Sequence, residues 1–169
     1  MKRMLIAMSC LFLSLGSSAA LFAQEATSSS PPPSSSSSPS SSESGKIHWY
    51  TNYNQAVQEA QKSRLPLLLF FTGSDWCGWC KKLQSEVFSS PEFAQSVGGS
   101  FIFVDIDFPM NKQLPAEQTQ QNAQLKQKYG VTGYPTVIIL DSNQNFVAEA
   151  GYRPGGGKAY ADYLKQLLQ

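Results

Sequence analysis

The residues with the clearest chemical potential are two cysteines in the segment Trp76-Cys77-Gly78-Trp79-Cys80. They follow a short apolar run and a Thr72-Gly73-Ser74 loop, so the pair falls where a buried strand leads into a helix. A helix amino terminus carries partial positive charge and unpaired N–H groups, which favour a thiolate over a thiol. We therefore expect Cys77, at the turn, to be an exposed nucleophile. Cys80, one helical turn further and more buried, can attack a mixed disulfide between Cys77 and a substrate.

Two other interpretations of the cysteine pair remain open. A closed zinc site normally needs four ligands, and beyond the N-terminal segment the chain holds only these two cysteines and one histidine, His48. An inert structural disulfide would close a very small loop and would add little stability through the unfolded state. Redox catalysis is the interpretation that we favour, with no metal.

A proline further along the chain supports this interpretation. The segment Gly133-Tyr134-Pro135-Thr136 follows a glycine-capped helix and opens a buried strand, where a proline removes a hydrogen-bond donor. A cis Tyr134–Pro135 bond would place the ring against the dithiol and leave the Tyr134 backbone free to pair with a peptide. A trans proline in a turn is the commoner arrangement. Only the upstream cysteine pair leads us to predict cis.

The elements that must position these residues alternate between helix and strand. Apolar periodicity and turn residues predict helices over 52–63, from near 77, from near 90 and over 116–129, and a further helix at the C-terminus. They predict strands over 65–71, 101–107, 136–140 and 146–150. Gly155-Gly156-Gly157 is interpreted as a flexible turn before that last helix. The pattern predicts an α/β fold with a central mixed sheet and helices on both faces.

Four segments in this order resemble the thioredoxin superfamily: 67–71, 76–81, 104–107 and 130–136. Together they cover nearly all of residues 46–169. The longer run 71–83 is similar to exported bacterial thioredoxin-like proteins, among them periplasmic disulfide reductases. The resemblance implies a thioredoxin fold with no cofactor, in which Cys77 and Cys80 form a redox-active disulfide as nucleophile and resolving thiol. It also implies that Pro135 is the cis-proline of a substrate groove, in which we place Trp76, Gly78, Trp79 and Tyr134.

The chain departs from the thioredoxin pattern at three places, one of which is the unusual Tyr134 before the proline. The buried acid that assists the resolving thiol in thioredoxin would fall at Phe71, so another group or water must accept the proton of Cys80. Glu86 and Asp105 are candidates. The Gly-Pro pair between thioredoxin's cysteines is Gly78-Trp79 here, which leaves the redox potential open.

The N-terminus has the order of a secretory signal peptide, with Lys2 and Arg3, an apolar stretch, and small residues at 17–20 and at Ala23. We predict a signal peptide over residues 1–23, with an uncleaved anchor or a lipid-modified Cys10 as alternatives. Residues 24–45 are rich in Ser and Pro and predict a disordered spacer. Residues 46–169 then form the thioredoxin-like domain.

The charge balance and the resemblance together define the expected function. Thirteen Lys and Arg stand against twelve Asp and Glu, which argues against nucleic acid as a partner. We expect a periplasmic, monomeric disulfide reductase that acts on exported cysteine-containing proteins and draws electrons from a membrane thiol carrier. The alternatives are an oxidase or isomerase of the same fold, and a non-catalytic peptide-binding module. The small size of the domain favours the reductase.

Overall fold

The computed structural model describes residues 46–169 of the chain. The predicted signal peptide (residues 1–23) and Ser/Pro-rich spacer (residues 24–45) lie outside the described residues. Within residues 46–169, no helix has both the length and the hydropathy that crossing a membrane requires.

Five strands form one mixed sheet with the order β1-β3-β2-β4-β5. The strands are β1 (Trp49–Tyr50), β2 (Leu67–Thr72), β3 (Ile102–Asp107), β4 (Thr136–Leu140) and β5 (Phe146–Ala150). β3 runs parallel to β1 and β2, whereas β4 is antiparallel to β2 and β5. All residues of the central strand β2 are buried, which explains why its sequence is apolar without alternation.

Residues 46–169 also form five α-helices and one π-helical turn, of which α5 follows the last strand. They are α1 (Tyr53–Ser63), α2 (Gly78–Leu83), the π-helical turn (Gln84–Phe88), α3 (Pro91–Val97), α4 (Ala116–Lys128) and α5 (Gly156–Gln166). Side chains cap the starts of three helices: Asn52 accepts from the Gln55 amide before α1, Ser90 accepts from the Phe93 amide before α3, and Cys77 caps α2.

Apolar side chains fill both faces of the sheet. On one face, α2, α3 and α5 cover alternate strand residues such as Leu68, Phe70 and Phe103. On the other face, α1 and α4 cover residues such as Leu69 and Phe71. The predicted fold class, a mixed α/β sheet with helices on both faces, is therefore confirmed.

The helix predicted to begin near residue 77 is short and changes geometry after Leu83. α2 ends at Leu83, and the chain widens into the π-helical turn, where the Ser89 amide donates to the Gln84 carbonyl at 2.8 Å. The wider turn brings two consecutive residues, Val87 and Phe88, into the core. A π-bulge inside a helix is common near functional sites and leaves little trace in apolar periodicity.

The interpretation of Gly155-Gly156-Gly157 as a flexible turn is wrong for its last two residues, which begin α5. A Cβ atom on Gly157 would lie 2.0 Å from Ser90 Oγ and 2.8 Å from the Phe93 amide nitrogen. Gly157 is thus required because the starts of α3 and α5 approach each other closely.

Candidate active site

Cys77 and Cys80 lie where β2 gives way to α2, as predicted. The two sulfur atoms form a disulfide of 2.03 Å, and the Cα atoms are 5.2 Å apart. Cys77 is the residue that caps α2: the Cys80 amide donates to Cys77 Sγ at 3.2 Å. The Cys77 amide in turn donates to the Gly73 carbonyl at 2.8 Å, which fixes the turn before the helix. The Cys77 sulfur therefore accepts a hydrogen bond from one of the N–H groups that the helix start leaves without a backbone partner.

The expectation that Cys77 is exposed is wrong for this disulfide-bonded form. Cys77 is 6% exposed and Cys80 is 1% exposed, so the predicted order of burial holds but both sulfurs are largely covered. Cys77 is covered because it belongs to the apolar cluster that also contains Phe70 and Leu83.

Trp76 stands beside the disulfide and is held in place from three sides. Its Nε1 donates to the Phe108 carbonyl at 2.8 Å, and its ring meets Tyr134 edge-on with centroids 5.7 Å apart. A Cβ atom on Gly73 would lie 2.4 Å from the Trp76 ring, so the ring packs directly on the glycine backbone. Even so, Trp76 is 43% exposed and offers one ring face beside the disulfide to a ligand.

A second fixed element is the loop after β3, which sequence reasoning did not connect to the site. The Asp75 carboxylate accepts hydrogen bonds from the amides of Met110 (3.0 Å) and Asn111 (2.6 Å). These bonds, together with nearby Lys112, hold the pKa of Asp75 below its usual value. Met110 itself is 74% exposed at the rim of the site. An acid immediately before Trp76 and Cys77 was the available signal for this anchoring role.

The Tyr134–Pro135 peptide bond is cis, the isomer predicted from the sequence. Tyr134 lies between the rings of Trp76 and Phe108, and Lys126 Nζ is 5.0 Å from the Tyr134 ring centroid. Tyr134 and Pro135 are both half-buried.

Between the two cysteines, Gly78 and Trp79 are exposed. Trp79 is 58% exposed, and its ring lies 5.2 Å from that of Tyr152. A Cβ atom on Gly78 would meet no atom within 4 Å, so this position is open to solvent. Each cysteine is therefore preceded in the chain by an exposed ring, Trp76 before Cys77 and Trp79 before Cys80.

The strand position that faces the dithiol is Phe70, so the assignment of thioredoxin's acid position to Phe71 is wrong. Phe70 clusters with Cys77 and Cys80, whereas Phe71 belongs to the cluster on the opposite face of the sheet. Successive residues of a strand point to opposite faces, so a shift of one residue along the chain changes the face. The residue at this position is apolar either way.

Asp105 lies next to Phe70 in the neighbouring strand and lines a pocket with Cys80. Phe70 and Asp105 are register partners between β2 and β3. The pocket has a volume of about 470 Å³. Burial, reinforced by the negative charge of Asp107 and opposed by Lys112, raises the pKa of Asp105 to about 6. Glu86, the other candidate, lies elsewhere: it is exposed and accepts a hydrogen bond from the Tyr152 hydroxyl at 2.7 Å.

Within residues 46–169, no group of three or more His, Cys, Asp or Glu side chains could hold a metal ion. The buried Asp107 is engaged instead by Ser74, whose hydroxyl donates to it at 2.7 Å, and by Lys112 at 2.8 Å. The chemistry that the described residues can perform at this site is that of the two sulfurs.

Comparison with known proteins gives a consistent result. The family model described as a thioredoxin-like domain matches residues 53–167. The chain is 38% identical over 126 residues to the disulfide bond reductase DsbH of Chlamydia pneumoniae, which covers 75% of each protein. It is 35% identical to the thioredoxin-related protein DsbJ of Chlamydia pneumoniae over 64% of this chain and 31% of that protein.

Solved structures agree in fold. A DsbH oxidoreductase structure superimposes with a TM-score of 0.70 at 38% identity, covering 74% of this chain and 86% of the other. A thioredoxin from Thermus thermophilus superimposes with a TM-score of 0.53 at 23% identity over 73% of this chain and 86% of that one, which speaks for the fold alone. The chain belongs to the thioredoxin-like family and is a thiol–disulfide oxidoreductase of the thioredoxin fold.

Proposed function

We propose that this oxidoreductase is exported to the periplasm and there reduces disulfides in other exported proteins. The observation that carries the proposal is the Cys77–Cys80 disulfide at the start of α2, beside the cis peptide bond before Pro135. The name of the DsbH relative, a disulfide bond reductase, supports the reductive direction. The predicted signal peptide supports the location.

In the proposed reaction, Cys77 is the nucleophile and Cys80 the resolving thiol. The Cys77 thiolate, stabilised by the N–H groups of α2, attacks one sulfur of a substrate disulfide and releases the other as a thiolate. Cys80 then attacks Cys77 Sγ, which breaks the mixed disulfide and forms the Cys77–Cys80 bond. The substrate gains two electrons and two protons, and the enzyme dithiol loses them.

We place the substrate against the surface formed by Trp76, Gly78, Trp79, Tyr134 and Pro135. The exposed rings next to the two cysteines suit a segment with apolar side chains, since aromatic rings bury large areas and lose little side-chain freedom. The Tyr134 backbone next to the cis bond would pair with an extended substrate strand. This surface fits exported proteins whose cysteines lie in incompletely folded segments.

The oxidised enzyme must be reduced again before the next cycle. Because the periplasm is kept oxidising, we propose that a membrane thiol carrier donates the electrons through the same disulfide, and that the enzyme works as a monomer.

The reduction potential of the Cys77–Cys80 pair tests the direction. We expect a value near that of thioredoxin, about −270 mV, measured by equilibration with glutathione or with thioredoxin. A value near that of DsbA, about −120 mV, would contradict the reductase and favour the oxidase. The Cys77→Ser protein, which forms no Cys77–Cys80 disulfide, is the control for signal changes unrelated to the pair.

A further inference from the structure

The release of substrate requires the Cys80 thiol to lose its proton inside the protein. Cys80 is 1% exposed, so bulk water cannot reach the thiol directly. The sheet position facing it in β2 is Phe70, which accepts no proton. The acceptor must therefore be another group that shares a space with Cys80.

Such a space is the pocket of about 470 Å³ beneath α2. β1, β2, β3, α2 and the π-helical turn all contribute to its wall. Cys80 and Asp105 line it together with polar side chains, among them Gln84, Ser85 and Ser89. Asp105 is the only carboxylate among the described residues of this wall. The wall is largely apolar, with Trp49 and Phe70 in it, but these polar side chains can hold water in a pocket of this size, and such water relays a proton between a thiol and a carboxylate.

The placement of Asp105 follows from the strand register. Asp105 pairs with Phe70 across the parallel β2–β3 ladder, and Phe103, two residues earlier in β3, belongs to the cluster that contains Cys80. Because side chains alternate along a strand, Asp105 points to the face that carries the dithiol. The acid thus lies one strand away from the position that Phe70 occupies.

Asp105 is also free to take a proton. Among residues 46–169, its carboxylate makes no side-chain hydrogen bond or ion pair, whereas the neighbouring Asp107 is engaged by Ser74 and Lys112. A half-buried carboxylate without a partner is costly to keep, and its presence in a pocket with a cysteine calls for a function.

We propose that Asp105 accepts the proton of the Cys80 thiol when Cys80 attacks the mixed disulfide, and returns it when the enzyme is reduced again. In the forward step the Cys80 S–H bond breaks and its proton passes to an Asp105 oxygen through water. The new thiolate then bonds to Cys77 Sγ, and the bond between Cys77 and the substrate sulfur breaks. The substrate leaves with the electron pair as a thiolate.

The charges around Asp105 suit this exchange. Burial raises the pKa of Asp105 to about 6, so at neutral pH the group is mostly ionised and still holds a proton well enough to accept one. Asp107 on the same strand favours the protonated form, and Lys112 from the following loop opposes it. Lys81 lines the pocket from α2, but its Nζ donates to the Asp75 carbonyl at 2.9 Å. The described lining residues from β1, β2 and the π-helical turn are not titratable.

The pH dependence of the resolving step tests this inference, which rests on the roles proposed for Cys77 and Cys80 but not on the direction of electron flow. Reduced full-length protein is mixed with excess glutathione disulfide, quenched with acid, and analysed by mass spectrometry for dithiol, mixed disulfide and internal disulfide. Formation of the mixed disulfide depends on the glutathione disulfide concentration. Resolution by Cys80 does not, so the two rates separate.

In the wild-type protein we expect the resolution rate to rise up to about pH 6 and then to level off, because it follows the ionised fraction of Asp105. Without a proton acceptor inside the protein, the resolution rate would instead rise tenfold per pH unit until the pH reaches the pKa of the Cys80 thiol. A wild-type profile with that continuous rise would overturn the proposal. If no mixed disulfide forms on Cys77, the proposed function itself is contradicted.

The Asp105→Asn variant should resolve about 10- to 100-fold more slowly at pH 7, with the plateau lost and the formation rate within about twofold of wild type. Removing a negative charge near Cys80 would by itself favour the thiolate and speed the step. A slower variant therefore identifies proton transfer, and an unchanged or faster one refutes it.

Two further variants complete the test. Asp105→Glu should restore the plateau. Glu86→Gln, which changes an exposed acid outside the pocket, should match the wild type throughout. If Asp105→Asn does not fold, the profiles of wild type and Asp105→Glu decide the matter: continuous rises in both would overturn the proposal.

Discussion

Two strand residues with opposite properties surround Cys80: Phe70 from β2, in the same apolar cluster, and Asp105 from β3, in the wall of the same pocket. Phe70 makes the surroundings of the sulfur apolar, which disfavours a thiolate, while Asp105 supplies the pocket with a carboxylate. Cys77 differs because its sulfur accepts the Cys80 amide at the helix start. At the residue scale, the two thiols therefore meet different surroundings although only two residues separate them.

Replacing Cys80 with Ser should trap substrates on Cys77. The resolving thiol is lost, so the mixed disulfide persists once it has formed. The variant is expressed with its export segment, the cells are acid-quenched, and adducts that a reductant releases are identified on non-reducing gels. Cys77→Ser is the matched control and should form none. Equal trapping by both variants would show that the roles are wrongly assigned.

Replacing Asp105 with Asn should stabilise the oxidised protein near neutral pH. Burial raises the pKa of Asp105 from 3.8 to about 6, so between these values the folded protein binds the proton more tightly than the unfolded chain does. The free energy of unfolding therefore falls as the pH rises from about 4 to 6. Above pH 6 the full cost of burying the charged carboxylate remains. Asn carries no charge, so the free energy of unfolding should rise by about 3 kcal/mol at pH 7.5.

Urea unfolding of both oxidised proteins at pH 7.5 and pH 4.0 measures this effect. The stabilisation by Asp105→Asn should be smaller at pH 4.0, where the Asp105 carboxyl of the folded wild type is protonated. The exposed Glu86→Gln change should stay within about 0.5 kcal/mol at both pH values. An Asp105→Asn gain of equal size at both pH values would show that the charge of Asp105 is not its cause.

At the scale of elements, short segments hold the site together. The loop after β3 is fastened to Asp75 by the amides of Met110 and Asn111, and Trp76 is tied to the same loop through the Phe108 carbonyl. Beneath the cysteines, the π-helical turn inserts Val87 and Phe88 into the core. Behind that turn, α3 and α5 pack closely at Gly157. Support for the disulfide thus extends from the substrate surface to the opposite end of the helical layer.

The contact between α3 and α5 predicts a large effect of a single methyl group. Gly157→Ala should lower the free energy of unfolding by about 1–3 kcal/mol, because the added Cβ would overlap Ser90 Oγ and the Phe93 backbone. Gly78→Ala is the matched control, since Gly78 is also in the first turn of a helix and has no atom within 4 Å of an added Cβ. It should change stability by no more than about 0.5 kcal/mol. Thermal or urea unfolding compares the two, and equal effects would contradict the packing argument.

At the scale of the whole molecule, the sheet brings together residues that are far apart in the chain. Cys77 and Cys80 come from the end of β2 and the start of α2, Pro135 from the entry to β4, and Asp105 from β3. Because β2 is central and pairs with both β3 and β4, one strand sets the positions of the two cysteines, of Asp105 and of Pro135. The apolar cluster on the same face then shields Cys80 from bulk solvent.

These surroundings predict that the oxidised protein is more stable than the reduced one. A dithiol donates electrons readily when its oxidised form is the stable one, whereas DsbA is a strong oxidant because its reduced form is stabilised. Here no histidine lies between the cysteines, Gly78 and Trp79 add no charge, and Cys80 is buried among apolar side chains.

Urea unfolding of both redox forms at the same pH measures the difference. A reduced form that is more stable by about 1.4 kcal/mol, equivalent to about 30 mV, would favour the oxidase. Cys77→Ser, with and without reductant, controls for effects of the reductant on unfolding.

The amino-acid sequence by itself determined the nature and order of the elements and the identity of the reactive pair. The apolar run of β2, the helix start at Cys77 and the helix and strand segments after it were predictable because local periodicity and capping carry those signals. The two-residue strand β1 and the π-helical turn were not predictable, since the first is too short for any periodicity and the second interrupts it. The signal peptide, the spacer and the site roles remain predictions.

Only the tertiary structure decided which residues meet. Sequence reasoning named Phe71 as the position facing the dithiol, but the register of β2 turns Phe70 to that face and Phe71 to the other. It left Glu86 and Asp105 as equal candidates, and pairing between β2 and β3 brings only Asp105 into the pocket of Cys80. Gly157 was interpreted as flexible until the approach of α3 to α5 showed why a side chain is excluded there. Strand register and helix contact depend on residues distant in the chain, and local sequence patterns do not encode such pairings.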